Sequence, residues 1–585
     1  MLWGPMPLDS AKAPAPTIPG ALGAALVASL IGALLTPLFD VDEGAFSEAS
    51  REMLESGDFG FTYLNGQPRF DKPILIYWLQ ALSLSVFGLN EFAARLPSIL
   101  SGLGVAGVAS LFAARWSGNP ANALFAFVLF SSSLGPLVMR HAATADALLH
   151  LLLLLSVLHL IESMRDGSAA VQVRADLRRA WAYSALAVLS KGLIGLLVPV
   201  LTVLGVCLMR RGLAPLRHAL SDGVAVALWL ALCLPWYVYA YLRFDADFIA
   251  GLFGKHHVER SLRALEGHTG SIAHTALMML VLSLPFTPWI LAGAWRTVRG
   301  APRRIETQAL VAWCTSLLLV FSVVATKLPH YAMYALLPLL MLAALGDGPR
   351  RGELIVGVVF GAALVLLGLF LDPILQALAQ QRPEGDYYRE LFDYRLQSWQ
   401  ALSETESSDL RVPGVARGGW FPFSAWFARG GWFALGGWLA LGGWAALGLC
   451  LVVLWTLGAP GKTSARARGG FGGHWALLGL GAAMHLSLCL STLPSVGAVL
   501  QGPTREVARA SAAHTAVTYR FRAPSVAFYR RQITRDRTPE TGEMAILRSS
   551  ELDALAREAG PHAVFRPVER AGPVVLLRRE ADRSP

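Results

Sequence analysis

Charge is scarce in this chain: 15% of its 585 residues are Asp, Glu, Lys or Arg, while 54% are hydrophobic. A soluble body of that composition would have too little polar surface to cover itself, so a water-soluble fold is excluded. Cysteine is scarce as well. The five present, Cys207, Cys233, Cys314, Cys450 and Cys489, all sit inside apolar runs with no CxxC pair, which argues against a disulfide framework and a cysteine zinc site. No cleavable signal is evident either. Residues 1–19 are proline-rich with one lysine, and the first apolar run has no clear small-residue cleavage site before the acids that follow it. That run reads as a retained first span.

What the chain has instead is long apolar runs, of roughly 17 to 25 residues, enough to cross about 30 Å of hydrocarbon as helices. They fall near residues 21–39, 93–114, 121–138, 143–162, 222–242, 273–295, 308–326, 330–346, 353–371, 431–457 and 475–493. Residues 181–209 lie between two arginine clusters and read as two short helices meeting around SKGLIG, which brings the expected count to thirteen. The net charge of +10 sits in short clusters between the spans, such as Arg174/Arg178/Arg179, Arg210/Arg211 and Arg350/Arg351. Positive-inside bias explains that pattern better than a nucleic-acid surface does.

The expected fold is an all-α polytopic membrane protein. Residues 1–20 form a cytoplasmic tail, 21–495 the membrane-spanning part, and 496–585 a small outer α/β domain built from AVTYRF (516–521), MAIL (544–547), HAVF (562–565), PVVLL (573–577) and a helix at 550–559. Two segments, 40–92 and 243–272, also face outward. The first carries two amphipathic helices, one over 44–56 with Ala45, Phe46, Ala49 and Met53 on one side, and one over 72–87 with Tyr77 and Trp78. Their aromatic and apolar faces suit helices lying along the membrane surface. GGW recurs four times between 418 and 444; it reads as compositional and no chemistry is assigned to it.

Ionisable groups in so apolar a chain are where chemistry is expected. Asp42 and Glu43 follow the first span, where burial and neighbouring cations can split adjacent carboxylates into different roles; the alternative is ordinary solvated acids. Asp71 and Lys72 open the second amphipathic helix, where a cation and free amides suit a phosphate, against the alternative of a lysine reaching for water. Asp146 lies inside a span, where an ionisable group is functional by default. Residues 254–270 hold His256, His257, Glu259 and Arg260, a set able to bind a divalent ion or a phosphate, although without an HExxH spacing. Lys327, His330 and Tyr331 stand at the outer end of a span interrupted by Pro329.

Six stretches in order, DEGAFSEASREM (42–53), LNGQPRFDKPILIYWLQAL (64–82), TADALL (144–149), SKGLIGLLVP (190–199), HVERS (257–261) and KLPHYAMYALLP (327–338), resemble polyprenyl-phosphate-sugar glycosyltransferases of the GT-C class. The likeness is to the bacterial branch of lipid A 4-amino-4-deoxy-L-arabinose transferase and protein O-mannosyltransferase-like proteins. The resemblance implies a GT-C membrane fold and transfer, with inversion, of a sugar from a polyprenyl-phosphate carrier to a lipid, glycan or protein acceptor. It implies an active site on the periplasmic or exterior face of a bacterial inner membrane, with neither a nucleotide cofactor nor nucleic acid. By the same resemblance Asp42, with Glu43, is catalytic; Lys72, Arg260 and Tyr331 hold the donor phosphate; and Asp71, Asp146, His257, Lys327 and His330 shape the cavity. A divalent metal stays open, with Asp71, His256 and His257 as candidate ligands. The chain departs from the family in having Asp71 where Glu is common and Arg69 where an aromatic residue is expected. A permease is the rival reading, and the sequence shows no inverted repeat or paired broken helices of the kind such proteins often have.

Overall fold

The computed structural model describes residues 17–259, 270–369, 390 and 472–581. Among these, five helices are long and apolar enough to cross a membrane: Glu91–Ser117, Asp146–Ser163, Gly223–Gly254, Ile305–Val323 and Leu477–Ala510. Shorter apolar helices stand among them, including Ile194–Arg210 and Pro329–Ala344. Hydrocarbon offers backbone N–H and C=O groups no water, so apolar runs of this length satisfy themselves internally as helices. The protein is an α-helical multi-pass membrane protein. Cys207, Cys233, Cys314 and Cys489 are buried and unpaired, while residues 431–457, the GGW repeats and Cys450 lie outside the described residues.

The hairpin read around SKGLIG is present, as the helices Ala170–Lys191 and Ile194–Arg210. Two spans expected to be straight are broken instead. Helices Ala121–Ser132 and Leu134–Arg140 meet at 62°, and His274–Leu282 and Thr287–Gly300 at 106°. Pro285 has no N–H to donate and ends its helix. Ser133, in extended conformation, frees the next amide, and Leu134 N–H donates to Leu284 O at 2.8 Å, so the two breaks meet. The chain therefore has the paired broken helices that its sequence did not reveal.

The first outer segment is more deeply embedded than amphipathic spacing suggests. Its first helix, Asp42–Ser56, starts with two acids, which complement the positive end of the helix dipole. It stops at Gly57, whose φ of 70° suits glycine and whose N–H caps Met53 O. Both faces of this helix are buried, the polar one included, and most of its buried polar groups have a partner, Ser47 Oγ having none among the described residues. Arg51 bonds Glu48 at 2.8 Å, Ser50 donates to Gln80 at 2.9 Å, and Glu52 accepts from the N–H groups of Asn65 (2.5 Å) and Gly66 (3.0 Å) at the tip of a small hairpin. In the second helix, Leu75–Phe87, Tyr77 stacks on Phe46 with ring centres 5.3 Å apart, inside the protein and not at a membrane interface. Its apolar outer face is Trp78, Leu82, Val86 and Phe87.

The expected boundary at residue 496 falls inside a helix, Leu493–Ala510, which continues because Val499, Val507 and Ala508 are buried. Beyond it four strands form one sheet: β1 (Ala516–Thr518), β2 (Met544–Arg548), β3 (Phe565–Ala571) and β4 (Val574–Arg579), in the order β1-β2-β4-β3. Strand β1 runs parallel to β2, and the other pairs are antiparallel. The helix Ser525–Arg530 between β1 and β2 packs against the first outer segment, so Leu38, Ala93 and Ala94 share one hydrophobic core with Val526, Phe528 and Met544.

Candidate functional site

Two adjacent acids at the start of the helix Asp42–Ser56 have opposite surroundings. Glu43 is buried and accepts from Arg95 Nε (2.9 Å) and Nη2 (2.6 Å), Phe39 N–H (2.8 Å) and Ala143 N–H (2.6 Å). Arg95 spends its remaining N–H groups on the carbonyls of Ala33 and Pro37, 3.2 and 2.7 Å away, and of Thr36. That network closes the end of the first helix, Thr17–Leu35, over the next one. Glu43 thus has no lone pair left for a substrate, and its geometry is architectural. Asp42 is exposed, lines a cavity of about 250 Å³ and forms no hydrogen bond or ion pair among the described residues.

The same cavity is lined by Asp40, Thr144, Asp146 and His330. Asp146 opens the helix Asp146–Ser163 and is buried; Lys191 Nζ donates to its Oδ1 at 2.5 Å, and Thr144 Oγ1 to its Oδ2 at 3.2 Å. Lys191 comes from the turn of the SKGLIG hairpin. Asp71 sits between two cations, with Lys72 Nζ at 2.5 Å and Arg69 Nη2 at 2.9 Å. Arg69 also lies over Phe46, 5.1 Å from its ring centre, and its Nη1 is buried without a partner among the described residues. Burial holds the Lys72 ammonium below the usual lysine range, with Asp71 pulling the other way. Lys72 precedes the helix start at Leu75, and its Nζ is turned to Asp71.

The remaining predicted residues divide. His330 and Tyr331 follow one another on a short 3-10 turn, Pro329–Ala332, with rings 5.0 Å apart, and Tyr331 packs on Phe321 at 4.9 Å. Lys327 points elsewhere: its Nζ donates to Phe321 O (3.1 Å) and Ser322 O (2.6 Å), closing a helix C-terminus, where a cation is favoured. Arg260 and the side chains of His256 and His257 lie outside the described residues. Asp71 is held by two cations, which disfavours it as a metal ligand. His141, His485 and Cys489 bring three ligand atoms within 4.8 Å of one another, but Arg140 Nη2 lies 2.9 Å from His485 Nδ1 and would repel a cation there. That trio serves as a polar clasp between helices.

Sequence reasoning missed Arg95, Lys191 and the partnership of Arg69 with Asp71. A signal existed for Lys191, a charge at the centre of an apolar hairpin, which is costly unless paired. None existed for Arg95, 52 residues from Glu43, since only packing brings them together.

Residues 38–249 match the family described as dolichyl-phosphate-mannose-protein mannosyltransferase. The chain is 29% identical over 308 residues, 52% of its length and 55% of the relative's, to the undecaprenyl phosphate-alpha-4-amino-4-deoxy-L-arabinose arabinosyl transferase of Yersinia enterocolitica. It is 31% identical over 326 residues, 53% of its length and 55% of the relative's, to arabinosyl transferase 1 of the same description from Sodalis glossinidius. The chain thus spans little more than half the length of these curated relatives. Among solved structures, it superimposes on ArnT from Cupriavidus metallidurans bound to undecaprenyl phosphate with a TM-score of 0.74, at 19% identity over 97% of this chain and 98% of that one. For the apo state of that protein the TM-score is 0.73 at 20% identity, covering 96% and 98%. The fold is shared with ArnT, and the resemblance to polyprenyl-phosphate-sugar glycosyltransferases read in the six stretches is borne out by these relatives.

Proposed function

We propose that this chain is an integral-membrane glycosyltransferase, which moves a sugar from a polyprenyl-phosphate carrier to a lipid A-like lipid, a glycan or a protein, with inversion. The observation that carries the reading is Asp42: an exposed carboxylate, unpartnered among the described residues, on a cavity also lined by Asp146, which Lys191 pairs. Lys72 and Arg69 have more donors than Asp71 can take, and a phosphate leaving group would use the surplus. Charge-assisted hydrogen bonds from both would offset the negative charge that grows on the departing oxygen. Asp42 would take the proton of an attacking hydroxyl, or orient the acceptor if that is already a phosphate. Asp146, on the cavity wall, would hold the Lys191 ammonium behind it, and Arg260 and Tyr331 would complete the phosphate site. The names of the relatives, arabinosyl transferases using undecaprenyl phosphate, support this donor class.

The same reading includes thirteen spans, the C-terminal sheet as a small α/β domain on the outer face, and a bacterial inner membrane with the active site toward the periplasm. Positive-inside bias supports that orientation. A divalent metal remains part of the proposal only through His256 and His257. The permease reading gains one observation, the contact of two broken helices at Leu134 and Leu284.

One experiment separates the two: release of free polyprenyl phosphate from a panel of lipid-linked sugars in detergent, with candidate acceptors, by wild type and Asp42→Asn. Release by wild type alone is expected and would name the sugar. No release by folded wild type across the panel would overturn the enzyme reading.

A further inference from the structure

Three residues that bracket Asp42 are gripped from the far end of the chain. Leu38 N–H donates to Tyr529 Oη at 2.8 Å. Asp40 accepts from Ser525 N–H at 2.9 Å and from Ser525 Oγ in a second, shorter bond. Gly44 touches the same serine: a Cβ there would collide with Asp40 Oδ1 and lie 2.6 Å from Ser525 N and 3.0 Å from Ser525 Cβ. Only a residue without a side chain lets the two segments come this close. Ser525 is itself fully buried, and its neighbours Val526 and Phe528 share a core with Leu38. The contact is therefore a packed interface and not a surface touch.

We propose that Ser525 is a positioning residue for the reaction proposed above: through Asp40 it fixes the backbone from Leu38 to Gly44, and so the direction in which Asp42 faces the cavity. Asp42 has no side-chain partner among the described residues, so its placement there depends on its backbone. That backbone has two supports. On one side Arg95 holds Glu43; on the other Ser525 and Tyr529 hold Asp40 and Leu38. Losing the second support leaves the fold standing and lets the carboxylate drift. A reacting group displaced by about 1 Å can lose about 10²-fold in rate. The C-terminal sheet is on this account part of the catalytic apparatus, acting at a distance of two residues from the acid.

The proposal rests on the glycosyltransferase reading, and two measurements keep the two apart. Ser525→Ala and Ser525→Thr are compared with wild type for turnover of a lipid-linked sugar and for hydrogen exchange over residues 38–46. For Ser525→Ala we expect kcat to fall about tenfold or more with the donor KM within about twofold. Exchange over 38–46 should rise while the helix Asp146–Ser163 keeps its protection. Ser525→Thr retains the hydroxyl and should recover much of the rate. Asp40→Asn, which keeps an acceptor oxygen, should fall between wild type and Asp40→Ala if Thr proves too bulky. Unchanged exchange over 38–46 in Ser525→Ala would overturn the tether, and raised exchange with unchanged kcat would overturn the positioning role. A wild type that releases no polyprenyl phosphate would fail the functional reading alone, since the exchange measurement still decides whether Ser525 holds the segment.

Discussion

Glu43 and Arg95 meet in a two-pronged ion pair, 2.9 and 2.6 Å, with their side chains 4% and 1% exposed. Neighbouring Asp42 is exposed and unpaired among the described residues. One peptide unit separates a buried, paired acid from an exposed one, and each predicts a different mutant behaviour.

Glu43→Gln leaves the Arg95 guanidinium buried beside a neutral amide. Breaking a buried pair by removing one partner costs about 3–5 kcal/mol, so the thermal transition in detergent should fall and the yield of folded protein with it. A Glu43→Gln protein with a wild-type transition and no turnover would instead make Glu43 a catalytic group.

Asp42→Asn should behave the other way. With no partner among the described residues to lose, its unfolding transition should match wild type, while turnover with a hydroxyl acceptor falls by at least about 10²-fold, the range for loss of a general base. A phosphate acceptor needs no strong base, and the loss there should be smaller; comparing the two acceptors separates the base role from an orienting one.

Lys191 and Asp146 should prove coupled. Lys191→Met leaves a buried carboxylate unpaired, whereas Asp146→Asn with Lys191→Met removes both charges, so the double variant should be more stable than Lys191→Met alone. Groups in one ion pair typically show a coupling of about 0.5–3 kcal/mol. A coupling of zero in thermal unfolding would mean that the 2.5 Å contact contributes nothing.

Arg69→Tyr restores the aromatic residue expected at this place and removes a charge-assisted donor worth about 1.5–3 kcal/mol. Donor KM should rise about tenfold or more, while the stack with Phe46 survives in another form. An unchanged KM would confine Arg69 to holding Asp71.

Asp40 gives a signed pH prediction. Burial pushes its carboxyl up to about 6, against the pull of the Ser525 hydrogen bonds, with nearby Glu43 adding to the rise. The folded state then holds a proton that the unfolded chain releases. This favours folding below the ordinary carboxyl pKa and is lost as pH rises through about 6. Asp40→Asn cannot ionise, so its thermal transition relative to wild type should be more favourable at pH 8 than at pH 4.5. An offset independent of pH would show that Asp40 does not titrate in this window.

Much of this was readable in one dimension. Apolar runs of membrane length can only be helices in hydrocarbon, so the spans around Glu91–Ser117, Asp146–Ser163 and Ile305–Val323 follow from composition alone. The order of Asp42, Lys72 and Asp146 along the chain was visible too, because each is a charge placed where charge is expensive. The breaks at Ser133 and Pro285 were not, since either run is long enough to be straight and proline within an apolar helix is often tolerated there. Nor did spacing tell Asp42 from Glu43, which are adjacent acids with the same propensities.

Packing decided those questions. Glu43 became structural because Arg95 arrives from 52 residues away; Lys327 left the cavity because the carbonyls of Phe321 and Ser322 at a helix end lay within its reach; and Asp40 acquired Ser525 from 485 residues away. Composition and periodicity set which segments leave water, because transfer from water is a property of each segment by itself. Which buried polar group meets which is a property of pairs, and pairs distant in the chain exist only once the tertiary fold has brought them together.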